Sequence, residues 1–235
     1  METLKFILEN LPAIGQRTLQ HISIVGVAVG LAILTGVPIG ILITQSKRAA
    51  DIVLYIASMI MTIPSIALFG VMIPLLSLIG QGIGYLPAVI AVLLYSQLPI
   101  IRNTYTAISN VDPALREAAR GMGMSSLERL RHVEIPLAIP VIMAGVRIAV
   151  VMNIGITAIA TYIGAGGLGA FISRGISQTD SRQLITGALA VSLLAIAADY
   201  LLLWAQHRLT PVGIRTSRTP KHRSVVAAAS AAASA

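Results

Sequence analysis

The chain has no cysteine. A disulfide framework, a thiol nucleophile and a cysteine-held metal are therefore excluded. Charge is scarce as well, at 11% of residues, where a soluble domain carries about a quarter. From Ile52 to Ile101 no residue is charged, and a water-soluble fold cannot hide such a run. Aromatics are few and dispersed, with one Trp, six Tyr and three Phe. They form no local cluster able to cage a cation. No G-x-x-x-x-G-K-[ST] phosphate loop occurs, so the chain cannot bind and hydrolyse ATP by that route. His21, His132, His207 and His222 fall at span ends and in loops without metal-ligand spacing. Interfacial or solvated roles are expected for them, with no metal and no cofactor.

What the chain has in abundance is apolar residues, 56% in all. An all-α integral membrane protein with five transmembrane helices is expected. Residues 1–20 carry Leu4, Ile7, Leu8, Leu11 and Ile14 at helical spacing, with Glu2 and Glu9 among the few charges. That pattern predicts an amphipathic segment on the membrane surface rather than a secretory signal. The membrane domain is expected over 21–208. Span one covers about 22–44, and its Gly26, Gly30, Gly36 and Gly40 suit close helix packing. Span two covers about 52–79. It is long for one crossing and carries Pro64 and Pro74, which predicts a kink whose freed carbonyls find neighbouring donors. Span three covers about 86–106, span four 137–162 and span five 184–205. Residues 209–235 are basic and then Ala/Ser-rich, a low-complexity tail expected to be disordered.

One stretch breaks the apolar pattern. Asn110 to Pro136 holds Asp112, Arg116, Glu117, Arg120, Glu128, Arg129, Arg131 and Glu134. Asp112-Pro113 signals a helix start. Gly121 and Gly123 signal its end. Ser125 and Glu128 offer a capping box for a second helix, and Pro136 marks its handover to span four. Ala114, Ala118 and Gly121 fall on one face of the first helix, and Ala119 and Met122 widen it. Such a face lets another backbone approach, with Arg116, Glu117 and Arg120 placed to orient a partner through charge. A solvated membrane loop is the alternative.

Five spans put the termini on opposite sides. Grouping the Lys47 loop, the polar stretch and the tail on one side gives it twelve Lys and Arg, against four on the other. By the positive-inside rule the first side is cytoplasmic, with the N-terminus outside and the C-terminus inside. The net charge of +8 thus reflects basic cytoplasmic segments and anionic lipid rather than nucleic acid.

Gly164-Ala165-Gly166-Gly167-Leu168-Gly169 matches G-x-G-x-x-G. It follows a membrane helix, not a strand, and no βαβ unit surrounds it, so a dinucleotide fingerprint is set aside. A tight re-entry of chain is expected, with Ala170-Phe171-Ile172 dipping back as a short outer gate helix. Inside the spans the ionisable residues are Arg147 and Asp199. Their depths are compatible with an ion pair facing the bundle interior, or each is solvated separately. The polar residues Tyr95, Ser96, Gln97, Asn153 and Thr157 either line a pathway or hydrogen-bond between helices.

Glu117-Ala118-Ala119, then Gly123, then Val133-Glu134-Ile135-Pro136 resembles the EAA loop of ABC importer permeases. That pattern is E-A-A, three residues, G, nine residues, I-x-L-P. Val133 and Ile135 stand in the Ile and Leu places. MTIPSIALFG, AGVRIAV and YIGAGGLGAFI look like the permeases of osmoprotectant importers, and the resemblance runs from about Ile22 to Trp204. It implies a type I ABC importer permease fold in a bacterial inner membrane and a quaternary-amine solute such as glycine betaine, carnitine or choline. It also implies separate ATPase subunits, an extracytoplasmic substrate-binding protein and a second permease copy, identical or related. The chain itself would be no enzyme. By that resemblance Glu117, Ala118, Ala119, Gly121, Gly123, Val133 and Pro136 form the ATPase-coupling element of loop 109–136. A permease for amino acids, phosphonates or sulfonates, or a stand-alone ion-coupled carrier, are the alternatives.

Overall fold

The computed structural model describes residues 2–210, and among them every regular element is helical. The expected tail lies outside the described residues beyond Thr210. The helices are α1 (Glu2–Glu9), α2 (Leu11–Leu42), α3 (Lys47–Thr62), α4 (Ser65–Ser77), α5 (Tyr85–Ser109), α6 (Pro113–Gly121), α7 (Ser126–Arg129), α8 (Ile135–Ile159), α9 (Gly169–Ser177) and α10 (Ser181–Leu209). Four of these stretches are long and apolar enough to cross a membrane, and five if the bent pair α3–α4 counts as one span.

The surface segment expected over 1–20 is only partly separate. α1 ends at Glu9, where the Asn10 side chain donates to the Phe6 carbonyl at 2.8 Å. α2 then begins with Pro12 in its first turn and runs unbroken through residue 20 into span one. Pro38 lies inside α2 without ending it, as proline is tolerated in membrane helices, where every other backbone group is paired internally. With its 3₁₀ extension to Gln45 the helix counts 35 residues. At 1.5 Å per residue it is about 52 Å long, well beyond a hydrocarbon core of about 30 Å.

α5 is the hub, packed against α2, α3, α4 and α8. Its small and β-branched residues Ala88, Val89, Ala91 and Val92 are buried with Ile24, Ala28 and Phe69. The glycines of α2 divide into two sets. An added Cβ at Gly40 would lie 2.6 Å from Thr104 of α5, so close packing requires glycine there. At Gly26 and Gly30 it would meet nothing; these two line an apolar groove between α2, α8 and α10 instead.

Of the two prolines in span two, only Pro64 breaks the helix. α3 and α4 meet there at 98°, whereas Pro74 lies inside α4. The Tyr95 hydroxyl of α5 donates to the Ile63 carbonyl at the break, supplying the partner that a freed carbonyl needs in a membrane.

Candidate functional site

The polar loop is built from two capped helices. Asp112 Oδ1 accepts from the Ala114 amide at 2.9 Å and starts α6. Gly123 follows α6 at φ +82°, a left-handed conformation that costs a Cβ-bearing residue about 1–2 kcal/mol. Ser125 and Glu128 then form a reciprocal capping box. α7 is a single turn, and a π-helical turn, Leu130–Glu134, carries it without interruption into α8. Pro136 therefore does not end a helix. It has no N–H to offer, and the upstream π turn, in which the Ile135 amide reaches the Leu130 carbonyl, accommodates the register change.

The exposed face of α6 carries Ala114, Leu115, Glu117, Ala118, Arg120, Gly121 and Met122. Ala119 departs from expectation: it points inward and is buried. Arg116 departs too. Its guanidinium turns under the helix, donating to the Ile108 carbonyl at the end of α5 and lying 3.3 Å from Glu134. Glu134 is only 5% exposed and also accepts from Arg129 Nε at 2.8 Å. The result is a clasp of two arginines on one carboxylate, tying α6 to the base of α8. Val133 lies half-buried in the π turn beside it. The sequence names Glu134 among the charges of the loop but assigns it no role. The signal was an acidic residue between Val133 and Ile135, five positions after an arginine.

Arg147 and Asp199 meet between α8 and α10. Arg147 Nη2 reaches both carboxylate oxygens, at 2.7 and 2.9 Å, and Nε reaches Oδ1 at 2.9 Å. Arg147 Nη1 makes a 3.4 Å contact with Gln206 Oε1, and Gln206 Nε2 donates to the Pro140 carbonyl at 3.0 Å. The pair does not face the bundle interior. Its side chains remain 25% and 38% exposed along a groove of about 540 Å³ on the outer face of α8.

The polar residues of α5 and α8 do not gather on an open surface. Asn153 Nδ2 donates to Ser96 Oγ at 2.8 Å and to the Ala149 carbonyl at 2.9 Å. Asn153, Ser96 and Thr157 are fully buried, and Tyr95 nearly so. Gln97 donates to Thr35 Oγ1 of α2 at 3.0 Å. Four of these five thus make bonds between or within helices of one subunit, and Thr157 Oγ1 lacks a partner.

His21 departs from expectation as well. It is fully buried rather than solvated. Its Nδ1 accepts from the Leu168 amide at 3.3 Å, which leaves the Nε2 hydrogen to donate to the Ile154 carbonyl at 2.9 Å. Gln20 Oε1 accepts from the neighbouring Gly167 amide at 3.2 Å. The glycine-rich segment is thus a clamp around α2. Gly164, Gly166 and Gly167 all have positive φ, and α9 follows as a short helix packed on α10. Among the described residues no group of three His, Cys, Asp or Glu side chains is placed to hold a metal.

Comparison with known proteins decides among the readings of this architecture. Residues 36–211 match the family described as the binding-protein-dependent transport system inner membrane component. The chain belongs to that family. It is 58% identical over 215 residues to the osmoprotectant import permease protein OsmW of Salmonella typhimurium, covering 92% of this chain and all of that one. It is 42% identical over 199 residues to the glycine betaine/carnitine/choline transport system permease protein OpuCB of Bacillus subtilis, covering 85% and 89% of the two chains. Its fold is similar to the inward-facing MetNI methionine ABC transporter, with a TM-score of 0.75 at 22% identity over 84% of this chain and 96% of that one. The type I importer permease architecture is thereby established, with the chain as a multi-pass inner-membrane transport component. Family membership sets aside the stand-alone carrier.

Proposed function

We propose that this chain forms the membrane pathway of an ATP-driven importer of osmoprotectant quaternary amines, with glycine betaine, carnitine and choline as the solute class. The observation that carries the reading is the 58% identity to an osmoprotectant import permease along that protein's whole length. A binding protein outside would deliver the solute, and two ATPase subunits would drive the cycle. The loop of α6 and α7 faces the cytoplasm in this reading, since the basic residues concentrate on its side. Its exposed surface around Glu117, Ala118, Gly121 and Met122 seats in the ATPase. Gly123 permits the turn, while Ala119, Val133 and Pro136 shape the inner side that joins the loop to the spans. Closure of the ATPases on ATP draws two such loops together. The clasp at Glu134 passes that motion into α8, and hydrolysis resets it.

The pathway itself forms between two permease copies, identical or related, because the polar residues Tyr95, Ser96, Gln97 and Asn153 of α5 and α8 are bonded within one subunit. The test is uptake by proteoliposomes holding this chain, its ATPase and its binding protein. ATP-dependent accumulation of glycine betaine or choline is expected. Accumulation without the ATPase, or of neither solute with it, refutes the reading.

A further inference from the structure

The groove on the outer face of α8 is lined by Ala144, Arg147, Ile148, Val151 and Met152, with Asp199 of α10 at its edge. Charged side chains at this depth face a water-filled space or another subunit, not lipid tails. The pair is closed on one side only: the Asp199 carboxylate is held by Arg147 and otherwise opens to the groove. Arg147 Nη1 has only the long 3.4 Å contact to Gln206.

We propose that this groove is a passage subsite for the quaternary-ammonium end of the transported solute, with Asp199 as its counter-charge and Arg147 as the tether for a solute carboxylate. The proposal rests on the osmoprotectant reading above. A quaternary ammonium has no N–H to donate, so it is recognised by negative charge within apolar walls. Asp199 supplies the charge. Ala144, Ile148, Val151 and Met152 supply walls that take the methyl groups. Arg147 offsets much of the Asp199 field, which keeps binding weak, and weak binding is what a passage requires for release. A zwitterion such as glycine betaine can use both charges, its carboxylate taking the loosely held Nη1. Choline, a cation without a carboxylate, can use only Asp199 and is opposed by Arg147.

The experiment compares choline and glycine betaine uptake by the complete transporter in proteoliposomes. Each uptake is expressed relative to the unsubstituted protein at equal solute concentrations below saturation and per molecule of transporter. Asp199→Asn is expected to lower the choline-to-betaine ratio by about fivefold, the upper scale of one solvent-exposed charge pair. Arg147→Gln is expected to move the ratio the other way. An equal loss of both solutes in both variants makes the pair a structural tie and overturns the inference while leaving the osmoprotectant reading intact. Failure of the unsubstituted transporter to move either solute overturns that reading and this inference with it. Should the single variants not accumulate, the double Arg147→Gln/Asp199→Asn strands no charge. It is expected to lose both uptakes while ATP hydrolysis continues, and unchanged uptake in it overturns the inference.

Discussion

Glu134 Oε1 accepts from Arg129 Nε at 2.8 Å, and the same oxygen lies 3.3 Å from Arg116 Nε. One carboxylate therefore joins three segments that the chain could otherwise move separately: α6, the turn of α7, and the π turn leading into α8. Removing it leaves two arginines facing each other beneath the loop. Glu134→Ala is expected to destabilise by about 2 kcal/mol, less than the loss of a partner in a fully buried pair because the arginines keep some exposure. In a protein of this size that lowers the thermal midpoint by about 4–8 °C. Differential scanning fluorimetry in detergent reads the change, and an unchanged midpoint contradicts the clasp.

The exposed side of α6 has a separate role in the proposed coupling. Glu117 makes no bond within the loop, and it stands beside Ala118 on the exposed face. Glu117→Lys reverses a charge without touching the subunit's own packing. It is expected to leave membrane insertion intact, to cut ATPase association at least tenfold and to abolish transport. Gly123→Leu is expected to do the same by another route, through the φ of +82° it would have to adopt. Co-purification with the ATPase subunit tests both. Full association and full transport at normal expression in both variants would sink the coupling assignment.

The polar loop was legible because its signals are local. Asp112-Pro113, Gly123 and the Ser125/Glu128 box each act within a turn of helix, and each does so in the structure. The inward turn of Arg116 was not legible, because it depends on Glu134 lying eighteen residues away. Arg147 and Asp199 could be paired from depth alone, since a charge in a span needs a partner. Which face the pair occupies could not, because α8 is apolar on all sides and no stripe marks its packed face. His21 was misplaced for a similar reason. Its partners, Ile154 and Leu168, come from distant segments, and no local spacing records them. The continuity of residues 11–20 with span one was missed because an amphipathic stretch and a membrane helix can share one continuous backbone.

Tyr95 ties the bend of span two to the hub. Its hydroxyl donates to the Ile63 carbonyl one residue before Pro64, at the 98° turn between α3 and α4. Tyr95→Phe keeps the ring in the core and removes only that bond. A carbonyl left unpaired in an apolar setting costs about 1–3 kcal/mol. The expected result is faster amide hydrogen exchange at the start of α4, with exchange elsewhere in α5 unchanged. Identical exchange in both proteins would show that the bend holds without the tie.

Ile148 and Val151 sit on the exposed face of α8 beside the half-exposed Arg147–Asp199 pair. An intramembrane ion pair cannot be left against lipid tails, so this face requires either water or protein over it. In the proposed two-copy arrangement a second permease copy would supply both, by covering the rim of the groove and enclosing its water. In a two-fold arrangement a residue near the axis meets its own counterpart. A cysteine there can bridge to its twin when the two Cα atoms come within about 7 Å. The chain has no native cysteine, so any bridge reports the introduced residue alone. Ile148→Cys and Val151→Cys are expected to yield covalent dimers in membranes on mild oxidation. Thr157→Cys, fully buried among the subunit's own helices, is expected to stay monomeric under the same conditions. Dimers at Thr157 with none at Ile148 or Val151 would place the contact on a different face. Monomers at all three positions, in membranes that still transport, would remove α8 from the subunit interface.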